Sequence, residues 1–319
     1  MSDVPIRQRG VALLVALLVV ALAAVLIAGL LDRGELALAR TRNVLRGEQA
    51  EAYAQALEAY AAEVLIKDDD QGADDTNADI WAAPLPPQPV PGGVILATMR
   101  DLNGCFNLNN LAGADPVWER MFGRLLDARG ADRSLTKAIE QWLGAGDSSD
   151  VTDAYYLAQP VPYRSAQRLF VHVSELRLVR GVTGEVYARL APYVCALPRG
   201  TPINVNTASV PVLQTLGDIP AADAERLWQN GQAHWSGSDF WKQWTGTGIN
   251  VDREVESTAY AGTKSSYFLA RGDVTLDGIP FTFYSLIERG NGVHVIERSR
   301  GSDDVRVAPA LAEPAGTNR

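Results

Sequence analysis

The stretch RQRGVALLVALLVVALAAVLIAGLL, Arg7 to Leu31, restricts what this chain can become more than any other part of it. From Val11 to Leu31 there is no charged residue and nearly every side chain is apolar. At about 1.5 Å of rise per residue, a helix of that length crosses the roughly 30 Å hydrocarbon core of a bilayer. Arg7 and Arg9 precede it and Asp3 alone opposes them, so the positive-inside rule keeps Met1–Gly10 in the cytoplasm and sends the body outward. An ordinary secretory signal fits poorly. Such a signal has an apolar region of about 7–15 residues followed by a small-residue cleavage site. Here the one sharp break lies before the apolar run, at Gly10–Val11.

The helix continues past the membrane segment. Between Asp32 and Ile66 there is no proline, and the glycines are Gly34 and Gly47. Tyr53, Leu57, Tyr60 and Val64 follow helical spacing and predict one apolar face, while Arg40, Arg42, Glu48, Glu51 and Gln55 fill much of the rest. One helix over 11–66 is expected, apolar in its first half and amphipathic in its second. Residues 67–93 read as a connector, an acidic run DDDQGADDTNAD followed by WAAPLPPQPVPGG, whose prolines exclude helix and favour extended chain. GVILATMRDL then reads as a strand. The stretch SSYFLARGDVTLDGIPFTFYSLIERGNGVHVIERSRG reads as three strands turned at Asp277–Gly278 and at Gly290–Gly292. The sheet closes only if the first strand pairs with those after the interruption.

That arrangement predicts an α+β fold. A long N-terminal helix packs on an antiparallel sheet built from 67–106 and 258–300, an all-helical domain is inserted over 107–257, and 301–319 form a disordered tail. Within the insertion, WERMFGRLLDARG and SLTKAIEQWLGAG have helical periodicity and end in glycine. SELRLVRGVTGEVYARLAPYV and PVLQTLGDIPAADAERLWQNG each read as two short helices around a turn. FNLNNL at Phe106–Leu111 and INVNTA at Ile203–Ala208 share an N-L/V-N pattern, which suggests an internal repeat whose asparagines cap the following helices.

The net charge of −9 and pI near 4.9 argue against a phosphate-binding surface as the main role. Cys105 and Cys195 have no zinc-like spacing; in an exported body they pair and close a long loop, and otherwise they are two buried thiols. His172, His234 and His294 have no spaced nucleophile or metal-ligand partner, and no G-x-S-x-G, Walker or HExxH pattern is present, so no enzyme is expected.

A short basic leader ending in Gly10, an apolar helix start and an amphipathic continuation resemble the type IV pilin and pseudopilin signal. The resemblance implies that a prepilin peptidase cuts after Gly10 and methylates Val11, and that the apolar half remains as membrane anchor and filament packing core. Major pilins carry a glutamate five residues into the mature chain; this chain has Val15, as is typical of the K-type minor pseudopilin of type II secretion. DLNGCFNLNNL, SELRLVRGVTGEVYARLAPYV, LPRGTPINVNTA and SSYFLARGDVTL are similar to that family over nearly the whole chain. The family implies a pilin-like sheet domain with a helix-hairpin-helix (SAM-like) insertion, and a single pass through the bacterial inner membrane with the body in the periplasm. Its place is the tip of the pseudopilus, where it initiates assembly for export of folded proteins across the outer membrane. The implied partners are minor pseudopilins of the I and J types, the prepilin peptidase and the secretion assembly platform.

In an exported protein calcium is the metal to expect, because its ligands are oxygens. The family resemblance implies calcium in the insertion, and the candidates are Asp147, Asp150 and Asp153 in GAGDSSDVTDAYYL. The family's loop usually has an acid directly after the Trp-hydrophobic pair, where Gly144 follows Trp142–Leu143 here. The Asp68–Asp79 run is a second candidate that reads first as a solvated linker. INVNTASVPVLQTL also resembles the helix-hairpin-helix modules of DNA-uptake and repair proteins, which makes a membrane-anchored DNA-binding protein the alternative function. Its hairpin, Gly217-Asp218-Ile219-Pro220, would set an aspartate against phosphate and lacks one amide proton, so no nucleic-acid partner is expected.

Overall fold

The computed structural model describes residues 7–72, 74–113, 115–145, 149–237, 240–246 and 248–301. The chain divides into two units, Met1–Tyr53 and Ala54–Arg319, and helix α1, Arg7–Gln71, runs through both. In the first unit the large apolar side chains of Val11–Leu31 are all between 53 and 70% exposed. A helical window here has a mean hydropathy of 3.3 with none of it buried, so the helix is long and apolar enough to cross a membrane. The predicted tail, 301–319, lies outside the described residues from 302 onward.

In the second unit, the last turns of α1 pack on a five-stranded antiparallel sheet of order β1-β2-β7-β8-β9. Its strands are β1 (Leu85–Val90), β2 (Gly93–Asp101), β7 (Tyr267–Leu276), β8 (Ile279–Gly290) and β9 (Gly292–Arg300). The helix extends to Gln71, beyond the expected Ile66, because no breaker intervenes before Gly72. Its buried face is Ala54, Glu58, Ala61, Val64 and Leu65; Tyr60, expected on that face, is 51% exposed. Small side chains win this contest because they let the helix come close to the sheet. A Cβ at Gly272 of β7 would stand 2.7 Å from Cδ1 of Leu57. Trp81 fills the end of this core, edge-on to Phe268 at 5.2 Å.

β1 is a departure from the sequence reading. LPPQPV was expected as a connector, yet it pairs with β2 as an edge strand. Pro86, Pro87 and Pro89 cannot donate to a ladder, which an edge strand tolerates, and the pairing is irregular between Leu85 and Gln88, where the first two sit. The turn between β7 and β8 places Asp277 at φ 47° and Gly278 at φ 79°, the two left-handed positions of a type I′ hairpin.

The insertion leaves β2 after Asp101 and returns at Tyr267, and it is built twice on one plan. The first copy starts at β3 (Phe106–Asn107), continues through α2 (Pro116–Ala128), α3 (Ser134–Leu143), α4 (Ser149–Leu157) and α5 (Gly184–Leu190), and ends at β4 (Val194–Cys195), which pairs in parallel with β3. The second starts at β5 (Ile203–Asn204), contains α6 (Val210–Leu213), α7 (Ala221–Trp228) and α8 (Phe240–Gly246), and ends at β6 (Ala261–Gly262), again parallel to its partner. Asp115 caps α2 by accepting from Val117 N, and α3 stops at Gly144 in the left-handed region, φ 82°.

The paired asparagines do more than cap helices. Asn107 Oδ1 accepts from Asn109 N at 3.1 Å, and Asn204 Oδ1 from Asn206 N at 3.0 Å. The second asparagine of each motif then grips a distant segment. Asn109 accepts from Phe170 N (2.8 Å), with Phe170 O accepting from its amide (3.0 Å). Asn206 does the same with Trp235, at 2.7 and 3.0 Å. Between the two clamps one continuous core forms, including Phe106 stacked near Phe122 (5.2 Å) and Trp118 (5.7 Å), and Trp244 against Phe240 and Trp241.

A disulfide joins Cys105 to Cys195, 90 residues apart, where Leu102, Leu197, Tyr267 and Leu286 pack together. It closes the first copy onto the sheet. Loop-closure entropy for a loop of that order is worth about 4–5 kcal/mol in the chain-entropy model. Asn206→Ala leaves both backbone groups of Trp235 without this partner. It is expected to cost about 2–4 kcal/mol, seen as a lower urea midpoint with an unchanged slope.

Candidate functional site

The end of α1, the sheet and the second copy of the insertion meet in a buried polar junction. Asp75, 3% exposed, takes Arg289 Nη2 on both oxygens at 2.5 Å and Ser265 N at 2.6 Å. Arg289 Nη1 donates to Asp68 of α1 at 3.1 Å, Nη2 donates to Ser265 O at 2.8 Å, and the guanidinium lies 4.8 Å from the Phe268 ring. Asp101, the last residue of β2, accepts from Asn103 N (2.7 Å), Ser265 Oγ (2.6 Å), Asn204 Nδ2 (3.2 Å) and Thr207 Oγ1. Asn103 Oδ1 accepts from Ser266 N and Tyr267 N, so the strand that leaves the sheet and the strand that re-enters it are held by one side chain. Gly104 sits so close that a Cβ there would lie 2.7 Å from Thr207 O.

Burial raises the Asp101 carboxyl to about 6 against the pull of its donors. Asp68 is also raised to about 6, by burial and then by the charges of Asp79 and Asp75, with Arg289 opposing. Carboxylate oxygens of Asp68, Asp75 and Asp79 lie within 4.8 Å of one another, a span that a divalent cation accepts. Arg289 already supplies positive charge to two of them.

Gly10 and Val11 both lie within α1. Asp147 lies outside the described residues, and Asp150 is described only as backbone of α4. Asp153 is 6% exposed, and both its oxygens are used within the fold. Oδ1 accepts from Ser165 N (2.9 Å) and Oγ (2.7 Å), and Oδ2 from Arg164 Nη1 (3.0 Å). Those bonds hold its carboxyl below the ordinary range and leave it a poor fit as a cation ligand in this placement. His172 Nδ1 stands 2.8 Å from Ser174 Oγ at the start of the 3-10 turn Val173–Leu178, His294 Nε2 stands 3.2 Å from Asn291 O, and His234 is exposed. Asp218 is 82% exposed with Arg124 Nε 3.6 Å away.

Sequence reasoning missed Arg289 and Glu58. Both had a signal. Arg289 is in phase with the inward Phe283, Ser285 and Ile287 of β8, and Glu58 is in phase with Ala54, Ala61 and Leu65 on α1. Glu58 accepts from Ser285 Oγ at 2.6 Å and binds Arg298 of β9 through both oxygens at 2.8 Å, a second tie between helix and sheet.

Inside the insertion, Glu140 of α3 is 6% exposed and its Oε1 has no hydrogen-bond partner. Burial, then the Glu119 charge on α2, push its carboxyl up to about 7, with Lys137 opposing. The folded protein therefore keeps a proton that the unfolded chain releases near the ordinary value of 4.5. Stability falls as pH rises from that value through 7. Glu140→Gln is expected to raise Tm at pH 8 and to leave it nearly unchanged at pH 4.5, as read by thermal unfolding at both values.

A family model for type II secretion system (T2SS) protein K matches residues 104–199. The type II secretion system protein K of Pseudomonas aeruginosa is 34% identical, over 92% of this chain and 93% of that protein. Its counterpart in Pectobacterium carotovorum is 33% identical, over 92% and 97%. In the crystal structure of the GspK-GspI-GspJ complex from enterotoxigenic Escherichia coli, one chain superimposes with a TM-score of 0.72 at 27% identity, covering 82% of this chain and 99% of that one. With an exposed apolar helix, a pilin-like sheet, an insertion whose first copy coincides with the matched region, and a relative 34% identical over 92% of this chain, the chain belongs to the type II secretion system protein K family.

Proposed function

We propose that this chain is the minor pseudopilin at the tip of a type II secretion pseudopilus. In this reading Val11–Leu31 holds it in the bacterial inner membrane, the body stands in the periplasm, and it initiates assembly of the filament that exports folded proteins across the outer membrane. One observation carries the proposal. The insertion leaves and re-enters the sheet at Asp101 and Tyr267, the same end at which Asp68 ties the last turn of α1 to Arg289. A shaft subunit needs space at that end for the next copy, and here a packed domain of two modules occupies it. The role is structural, with no chemical step assigned.

The relative solved in complex with GspI and GspJ supports minor pseudopilins of the I and J types as partners; the same reading takes the assembly platform in the membrane and a prepilin peptidase acting between Gly10 and Val11 as the others. Producing the full chain with the peptidase and both partners tests this. A mature chain that begins at Val11 and elutes with both partners in one detergent-solubilised peak is expected, and Gly10→Val is expected to remain the precursor. A mature chain that elutes alone with its partners present overturns the tip assignment.

The proposal includes calcium bound by the loop after α3. Asp153 orients Ser165 and Arg164, so Asp147 and Asp150 supply the charge that the ion needs. Calcium at a hundredfold excess over Kd stabilises a folded form by about 2.7 kcal/mol. Tm is therefore expected to rise from chelator to millimolar calcium, and Asp147→Ala with Asp150→Ala is expected to remove the rise. Asp153→Ala lowers Tm with or without the ion. A rise that survives the double substitution and disappears in Asp79→Asn moves the ion to the Asp68–Asp75–Asp79 cluster.

A further inference from the structure

Glycine follows asparagine at three places in this chain, Asn103–Gly104, Asn230–Gly231 and Asn291–Gly292. Such a pair is chemically unstable, because a glycine nitrogen, unhindered by a Cβ on its own residue, can attack the side-chain amide carbon of the asparagine before it. The fold treats the three pairs differently. Asn103 is 1% exposed and its amide is held at both ends: Nδ2 donates to Pro202 O at 3.1 Å, and Oδ1 accepts from Ser266 N and Tyr267 N. Asn230 is exposed, but it sits in the left-handed region at φ 56°, and Gly231 is buried with its carbonyl accepting from Asn77 Nδ2 at 3.2 Å. In both pairs the attack requires contacts of the fold to break.

Asn291–Gly292 lies at the turn between β8 and β9, and both residues are exposed. Gly292 has φ 97°, which a residue with a Cβ rarely adopts. His294, two residues along β9, folds back over this peptide. Its Nε2 stands 3.2 Å from Asn291 O, and a Cβ added to Gly292 would lie 3.2 Å from the same nitrogen. A carbonyl oxygen only accepts, so Nε2 carries the proton of that bond. The carbonyl it binds belongs to the same peptide as the Gly292 nitrogen. Drawing electron density toward that oxygen makes the N–H more acidic, and the deprotonated nitrogen is the attacking species.

We infer that Asn291 is a site of self-modification, converted to aspartate and isoaspartate with His294 as the assisting group. Gly292 N gives up its proton to water and bonds to Asn291 Cγ. The Cγ–Nδ2 bond breaks, and Nδ2 takes up a proton and leaves as ammonia. Water then adds to one of the two carbonyls of the five-membered imide, which reopens as aspartate or as isoaspartate; nothing is oxidised or reduced. Either product puts a carboxylate on the turn two residues from Arg289. Isoaspartate also adds a methylene to the backbone just ahead of Val293 and Val295, which pack against the core under α1. The chemistry requires neither partner nor membrane, so it is independent of the tip assignment.

Incubation of the folded full-length chain, in detergent and heavy-oxygen water at neutral pH, followed by peptide mass spectrometry, tests this. Residue 291 is expected to gain a heavy oxygen and to become in part isoaspartate, which electron-transfer fragmentation distinguishes from aspartate, while Asn103 and Asn230 stay amides. His294→Thr, too short to reach the carbonyl, is expected to slow the conversion by about tenfold, less than a buried acid provides because water competes for an exposed carbonyl. If that variant lowers Tm, His294→Val, which suits a strand, repeats the comparison. In urea the turn is lost, so the three pairs are expected to convert at similar rates and the His294 substitution to lose its effect. No conversion at Asn291, conversion in the folded chain at Asn103 or Asn230 as fast as at Asn291, or a rate indifferent to His294 overturns the inference.

Discussion

Arg289 of β8 bonds Asp68 at the end of α1, Asp75 after it and Ser265 O where the chain returns from the insertion, so one side chain ties helix, sheet and insertion together in the body. Removing these charges from water is expensive, and an ion pair of this kind is a weak source of net stability. What it supplies is position. Asp75 accepts only where Arg289 and Ser265 N converge, and Asp101 only where Asn103, Ser265, Asn204 and Thr207 converge. An apolar contact of the same size would tolerate a slipped helix or a rotated insertion. The polar one leaves a buried group unpaired for each such error, at about 1–3 kcal/mol apiece.

The insertion extends the same logic. Each copy begins with a two-residue strand that ends in asparagine and closes in parallel on the strand that ends the copy. The second asparagine in each motif satisfies both polar groups of one distant residue, Phe170 or Trp235, and so holds irregular chain against a dense aromatic core. Cys105–Cys195 then closes the first copy at the sheet boundary. A domain held at both ends in this way has a fixed seat on the sheet, because the bonds at Asp101 and Asn103 and the disulfide all lie where it leaves and re-enters.

Val11–Leu31 is apolar around its whole circumference and exposed throughout, so its own side chains do not select between lipid and other helices as surroundings.

Local signals in the sequence were sufficient for much of this. The uncharged run from Val11 makes a helix long and apolar enough to cross a membrane, a property that length and hydropathy alone decide. Asp277–Gly278 decides a hairpin, because few residues accept its left-handed angles. The glycines after α2 and α3 end those helices, the N-L/V-N motif announces the duplication, and the α+β class follows from the order of these elements. Other features depend on partners that no local pattern encodes. LPPQPV is a strand only because β2 offers it an edge, and Tyr60 faces out because Ala54, Ala61 and Gly272 allow a closer seat for the helix. Asp153, placed in sequence as a cation ligand, is drawn instead to Ser165 and Arg164. Asp75 finds Arg289 across 214 residues of chain. Periodicity determines which face of an element is apolar. Which buried charge meets which donor is decided only when the elements are packed, because that choice depends on distances in space that separations along the chain do not carry.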